Sequence, residues 1–385
     1  MVTYPEGWRC DTIKDIANIT TGCRDTQDNK VNGRYPFFVR SPIVERIDVV
    51  DFDCEAVLTA GDGVGTGKVF HYINGKFAAH QRVYVMSNFQ NVDGKYFYYY
   101  FSNNFGKEVE KYTAKSSVDS VRRDMIAEME FPYPPLPEQN EIVKALLDFD
   151  EHIDNLTELI EKKKAIRDGA LEDLVSGRTR LDGFGGEWKE VNLGTVTTIL
   201  NGDRGVNYPS ESAFTSYGVP FVNAGHLSNG KVLFDGMDYI SKEHYCLLGG
   251  GKIIKNDILF CLRGSLGKFA LADFDEGAPA SSLCIVRAKE TINPLFLAQL
   301  MSSSIIKNRI EAANTGSSQP NLSAKDISLF EFKIPVDIEE QQAISSILTA
   351  MDEEIESLEM EKAKMIQIRE GAMDDLLTGR VRLTV

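Results

Sequence analysis

Two glycine-rich turns hold the residue types in this chain that lie nearest to chemistry. One is Gly61-Asp62-Gly63-Val64-Gly65-Thr66-Gly67-Lys68 and the other is Arg263-Gly264-Ser265-Leu266-Gly267-Lys268. Turns of this kind let backbone N–H groups come close to a phosphate, and Lys68 or Lys268 would add positive charge. The first is not a nucleotide-hydrolysing loop, which would need a glycine at Asp62 and a hydroxyl residue at Val69. As a dinucleotide fingerprint it lacks a βαβ setting. A DNA-methylating enzyme would need its own cofactor fold and an Asn-Pro-Pro-aromatic tetrapeptide, but Asn293-Pro294 is followed by Leu295. The five histidines (71, 80, 152, 226, 244) show no HExxH or paired metal spacing, and there is no G-x-S-x-G elbow. Six cysteines (10, 23, 54, 246, 261, 284) form no CxxC pair, so reduced thiols of a cytoplasmic protein are expected, with no metal. What remains suits recognition.

An arginine on such a turn can grip guanine with two hydrogen bonds, whereas Asn and Gln suit adenine. In the first half the candidates for contacting DNA are Arg24, Arg40, Gly65, Thr66, Lys68, Gln81, Arg82, Lys115, Ser116, Ser117 and Arg122. In the second they are Arg204, Asn223, His226, Arg263, Ser265, Lys268, Ser281, Ser282, Ser317, Ser318, Gln319 and Asn321. The same loops recur in both halves with different side chains, as expected where one scaffold reads two sequences.

The elements that must position these loops repeat as well. LPEQNEIVKALLDFDEHIDNLTELIEKKKAIRDGALEDLVSGRTRL (136–181) aligns without a gap, at a shift of 202, with the stretch ending GAMDDLLTGRVRL. The shift pairs Gln139 with Gln341, Asp150 with Asp352, Arg167 with Arg369 and Gly177 with Gly379. Apolar residues at Ile142, Leu146, Phe149, Ile153 and Leu156, and at Ile344, Leu348, Met351, Ile355 and Leu358, fall in steps of three and four. That stripe predicts two long helices with a narrow seam. The stripe resumes at Ile166 and Ile368 after a register slip, so the seam should rotate or bend there. Pro137 suits a first turn, Asp337 with Glu340 has the form of a capping box, and Gly177 and Gly379 are natural stops. A helix near 60 Å long cannot bury its seam in its own small domain, so the other copy is the expected partner of these residues, which are also candidates for docking a protein partner.

Upstream, Trp8, Ile13, Ile16 and Ile19 return at a shift of 180 as Trp188, Leu193, Val196 and Ile199. Openings and helices are therefore fixed, and the middles vary. The expected division is 1–135 and 182–335 as mixed α/β domains, with helices at 136–181 and 336–385. Strands are predicted at 35–44, 57–61, 81–86, 219–228 and 283–287, and helices at 95–105 and 294–312. The fold class is α+β: two mixed α/β domains in pseudo-twofold repeat, separated by two long helices forming an antiparallel coiled coil. Net charge is −15, of which −11 lies on the helices (11 acids and 7 bases in 136–181, 12 and 5 in 336–385). The nearly neutral domains can each hold a basic face, while the acidic helices should meet protein. No run of about 18 apolar residues is present, and the N-terminal stretch lacks the form of a signal peptide.

GSSQPNLSAKDI (316–327) leading into IPVDIEEQQAI (334–344), PLPEQNEIV (135–143) and the repeated endings carry a resemblance across the whole chain. It resembles the specificity subunit of a Type I restriction–modification enzyme. The first half departs at AKSSVDS, which lacks the Gln-Pro-Asn-Leu of the second. The resemblance implies a non-catalytic reader of double-stranded DNA, each domain binding one half of a split asymmetric target in the major groove. The helices would set the gap between half-sites and dock two modification subunits. It also implies that S-adenosylmethionine, ATP and magnesium belong to the modification and restriction subunits, with no cofactor on this chain. A rival reading is a coiled-coil protein-interaction scaffold without sequence-specific DNA binding. Exchange of residues 182–335 separates the two, because it changes one half of a bound site only in a reader.

Overall fold

The computed structural model describes residues 4–113, 120–313 and 321–383. The chain forms two compact units, Met1–Glu158 with Glu359–Val385 and Leu159–Leu358. Each unit thus holds one globular region together with part of each long helix. The architecture is α+β, with two mixed α/β regions in repeat and two long helices.

In unit one six strands form a sheet in the order Asn18–Thr21, Val83–Ser87, Phe52–Ala60, Phe70–Ala79, Tyr35–Phe38, Glu45–Ile47, and Arg9–Thr12 pairs separately with Glu130–Tyr133. Successive side chains of a strand point to opposite faces, and here both faces are covered. Val57 and Met86 enter a core with Phe97, Phe101 and Phe131, while Ala56, Leu58, Val83 and Val85 pack with Phe38 and Phe77. Unit two repeats the device: Ile258, Phe260, Cys284 and Val286 face one core, and Leu259, Cys261, Leu283 and Ile285 face another. Burial pushes the Cys284 thiol up to about 12, which makes it an inert packing group. All six cysteines are free.

Several elements differ from their sequence-based bounds. The aromatic helix runs over Gly94–Thr113, continuing through Gly106, and Asp93 caps it by accepting from Lys95 N and Tyr96 N at 2.9 Å. The stretch 294–312 is two helices, Pro294–Ser302 and Ser304–Ala313, since Ser303 is extended and buried between them. Strand 219–228 stops at Val222, and a short 3-10 turn at Ala224–His226 follows. A one-turn helix, Ile13–Ile16, interrupts the opening and has its counterpart at Leu193–Val196.

Both long helices are continuous through the register slip, Leu136–Ser176 and Ile338–Leu376, each about 60 Å at 1.5 Å per residue. They stop where Gly177 and Gly379 take φ of +71° and +73°, and Thr179 and Val381 donate back to the carbonyls of Asp173 and Asp375. Asp337 caps the N–H of Glu339 at 2.9 Å, but the box does not close as expected. Glu340 turns inward instead and accepts two bonds from Arg180, at 2.6 and 2.9 Å.

That pair recurs in unit one, where Glu138 accepts from Arg382 at 2.7 Å twice. Next to each carboxylate sits a fully buried glutamine. Gln139 accepts from Asp93 N and donates to the carbonyls of Asn91 and Pro134; Gln341 repeats this with Asn293, Thr291 and Pro335. Further along, Arg369 binds Asp150 and Arg167 binds Asp352. Within each unit the two helix segments therefore run antiparallel.

The seam is buried in a different way from expectation. Ile142 and Leu146 share one core with Met373, Leu376 and Leu377 and with the aromatic side chains of their own sheet and helix. Ile344 and Leu348 do the same with Leu171, Leu174 and Val175. Phe149 and Met351 sit at the edges of these cores, Leu156 and Ile355 are buried, and Ile153 and Leu358 are half-buried. The domain and the opposite helix cover the seam together. Beyond the slip, Ile166 and Ile368 are 58% and 43% exposed, so the buried stripe restarts at Leu171 and Met373 instead.

Removing one partner of a buried ion pair leaves an uncompensated charge, which costs about 3–5 kcal/mol. R180A should therefore destabilise unit two by about that amount in urea unfolding. R178A, which removes a pair to Asp173 that is exposed on both sides, should change stability by less than about 1 kcal/mol.

Candidate nucleic-acid interface

Backbone hydrogen bonds match the candidate loops of the two units residue by residue. His80 N–H donates to Phe38 O at 2.9 Å, and Ala280 N–H to Val222 O at 2.7 Å. Gly61 N–H donates to Arg82 O at 2.8 Å, and Leu262 N–H to Ser282 O at 2.9 Å. Val121 N–H donates to Gly61 O and Leu322 N–H to Leu262 O. Asp62 then bridges Ser120 as Arg263 bridges Asn321. Strand ends, the glycine turn, the segment before the next strand and the residues at Ser120–Val121 or Asn321–Leu322 thus meet at one edge of each unit. Gly63 and Gly264 stand at φ of +77° and +78° with open space where a Cβ would be, so the turn's outer backbone is bare.

The side chains set on this common frame differ. In unit one Asp62 is held between two guanidiniums: Arg40 Nη1 lies 2.8 Å from one carboxylate oxygen and Arg82 Nη1 2.7 Å from the other. Burial pushes the Asp62 carboxyl up, but the two arginines overcome that and hold it below the usual carboxylate range. Arg24 is committed to Asp51 through Nε, at 2.9 and 3.0 Å. Gln81 reaches Asp25 at 3.5 Å. Gly65 is buried against Arg40 O, and the Thr66 hydroxyl donates to Gly63 O, so both shape the turn. Lys68 and Arg122 are exposed with no carboxylate partner among the described residues. His80 accepts the Arg82 N–H through Nδ1, and burial followed by the Arg40 charge lowers its pKa.

In unit two Asn201, Arg204, Arg263, Asn321 and Lys325 line a hollow of about 470 Å³. Arg204 donates to Ser281 O at 3.0 Å. Its loop is set by Asp203, whose carboxylate takes the N–H groups of Gly205 and Gly249 and is held low by them. Arg263, Ser265 and Lys268 are exposed, and Ser281 and Ser282 half-buried. Asn223 and His226 bond to each other's backbone, and the His226 ring is buried against Gly236 O, so the structure turns His226 inward. Lys115, Ser116, Ser117, Ser317, Ser318 and Gln319 lie outside the described residues. Lys325 and Asp62 were not among the sequence candidates; the ion pairs of Asp62 reach Arg40 and Arg82, 22 and 20 residues away, and leave no local signal.

Among the described residues there is no group of three His, Cys, Asp or Glu side chains that could hold a metal, and no helix is long and apolar enough to cross a membrane. The arrangement can donate hydrogen bonds from arginine and asparagine and present bare backbone.

Residues 5–165 and 185–367 match the family model described as the Type I restriction modification DNA specificity domain. The chain is 25% identical to the type I restriction enzyme MjaVIII specificity subunit of Methanocaldococcus jannaschii, over 98% of this chain and 94% of that one. It shares the fold of the type I restriction–modification S subunit of M. genitalium at a TM-score of 0.64, with 18% identity and 96% of each chain covered. A chain from a study of complex assembly and conformational transition in a type I system aligns at a TM-score of 0.61 with 14% identity, covering 99% of this chain and 100% of that one.

With Arg40 and Arg82 removed together, burial would act on Asp62 unopposed. R40A/R82A should raise the Asp62 pKa, read by NMR titration of the carboxyl carbon. In the native chain the lowered value means that this cluster adds stability above the unfolded Asp pKa and loses it as pH falls through the folded one.

Proposed function

The chain belongs to the Type I restriction–modification DNA specificity family, and on that premise we propose that its two units each read one half of a split, asymmetric DNA target. Its part is non-catalytic. The observation that carries the reading is the shared hydrogen-bonded frame, on which one unit sets Arg40, Asp62 and Arg82 and the other Arg263 and Asn321. A frame kept constant under changing polar side chains is what reading two different sequences requires, since base edges are distinguished by their donor and acceptor pattern. Lys68, Arg122, Lys268 and Lys325 would contact phosphate, positioning the chain without reading sequence.

The proposal extends to partners. Two modification subunits would dock on the acidic helices and bring S-adenosylmethionine and methyl transfer; restriction subunits would bring ATP, magnesium and cleavage. This chain would hold no cofactor and would act in the cytoplasm, where the DNA is. The continuous long helices would set the gap between half-sites, in the manner of a ruler.

Deleting four residues at 162–165 should therefore change the spacing of the methylated target and leave both half-site sequences as they were, as read by methylome sequencing. Altered half-sites would sink the ruler. The purified chain alone should transfer no methyl group to DNA.

A further inference from the structure

Matching the frames puts opposite charges at one position. Asp62 stands where unit two has Arg263, each the second residue past the end of a sheet strand and each in a bridge, to Ser120 or Asn321. The neighbours invert as well. Two residues beyond the matched Phe38 and Val222, unit one has Arg40 and unit two Ala224, and Arg82 is matched by Ser282. Unit one therefore brings two guanidiniums from flanking segments to a carboxylate on the turn. Unit two carries a guanidinium on the turn itself, with Ala224 and Ser282 at the two matched flanking positions. Over these three matched positions the net charge is one positive in both units, and only the place of the donors differs.

We propose that this position decides what each unit reads: Asp62 is a positioning residue that presents Arg40 and Arg82 to guanine in one half-site, and Arg263 meets guanine directly in the other. This rests on the DNA-reading function above. Both oxygens of Asp62 are taken by arginine, so it is poorly placed to accept from cytosine as well. Each arginine binds Asp62 through Nη1, and the two arginine side chains are 44% and 61% exposed. A guanidinium fixed at one end has lost most of the freedom that binding would otherwise remove, and its fork matches guanine O6 and N7. Val64, 98% exposed at the tip of the same turn, is replaced by Ser265 in unit two and adds an apolar contact of the kind a thymine methyl takes.

Lysine separates base reading from phosphate anchoring, since it keeps the charge but lacks the fork. The test is methylome sequencing of cells carrying R40K, R82K, D62N or R263K in the native complex. R40K and R82K should each relax one guanine position about tenfold, D62N should relax the same positions, and R263K should relax a position in the other half only. The proposal is overturned if the lysine variants keep the motif and weaken binding uniformly with a changed salt dependence, or if one substitution alters both halves. R40K, R82K and R263K preserve charge, so a D62N protein that failed to fold would leave the comparison intact. A native complex that methylates no bipartite motif would instead overturn the reading function itself.

Discussion

A carboxylate removed from water must have its charge answered, and this requirement at Glu138 and Glu340 organises the rest of the chain. Each lies at the start of one long helix, and each is answered by an arginine just past the end of the other, Arg382 or Arg180. The bidentate geometry fixes both distance and direction, so the two helix ends cannot slide past one another without leaving a buried charge alone. The neighbouring glutamines, Gln139 and Gln341, then tie the same helix start to the cap of the domain's own helix and to the incoming strand. Strand, domain helix and both long helices are thereby locked at one point in each unit.

From that point the sheets extend to the loop edge that carries the candidate readers. Both faces of each sheet are covered, which fixes strand register, because a one-residue slip would exchange the two cores. The loop frame inherits that rigidity through the matched bonds at Gly61 and Leu262. Side chains on such a frame can change identity without disturbing what lies beneath, and the Asp62–Arg263 exchange is an instance.

The repeat was legible because it is held by identical contacts: the 202-residue shift that aligns Asp150 with Asp352 and Arg167 with Arg369 also relates the ion pairs they form. Helix stops at Gly177 and Gly379 were legible for the same reason, since only a few residues favour that backbone. The inward turn of Glu340 was not. Three-residue spacing from Asp337 imitates a capping box, and the arginine that claims the carboxylate is 160 residues away. The shared burial of Ile142 and Leu146 escaped because heptad spacing says that a face is covered and not what covers it. His226 looked like a polar reader, yet the backbone of Asn223 and Gly236 absorbs both ring nitrogens.

Unit two is a single run of chain, Leu159–Leu358, but unit one is completed by Glu359–Val385. Its core needs Met373, Leu376 and Leu377, and Gly379 packs against Pro5 and Trp8. On the ribosome the usual order of domain completion is therefore reversed. The region made first must wait, with Ile142 and Leu146 uncovered on one side, until the last segment of the second helix has emerged. A message cut short after unit two would yield one finished domain and one left open. Exposed apolar surface marks such a chain for the cell's degradation machinery.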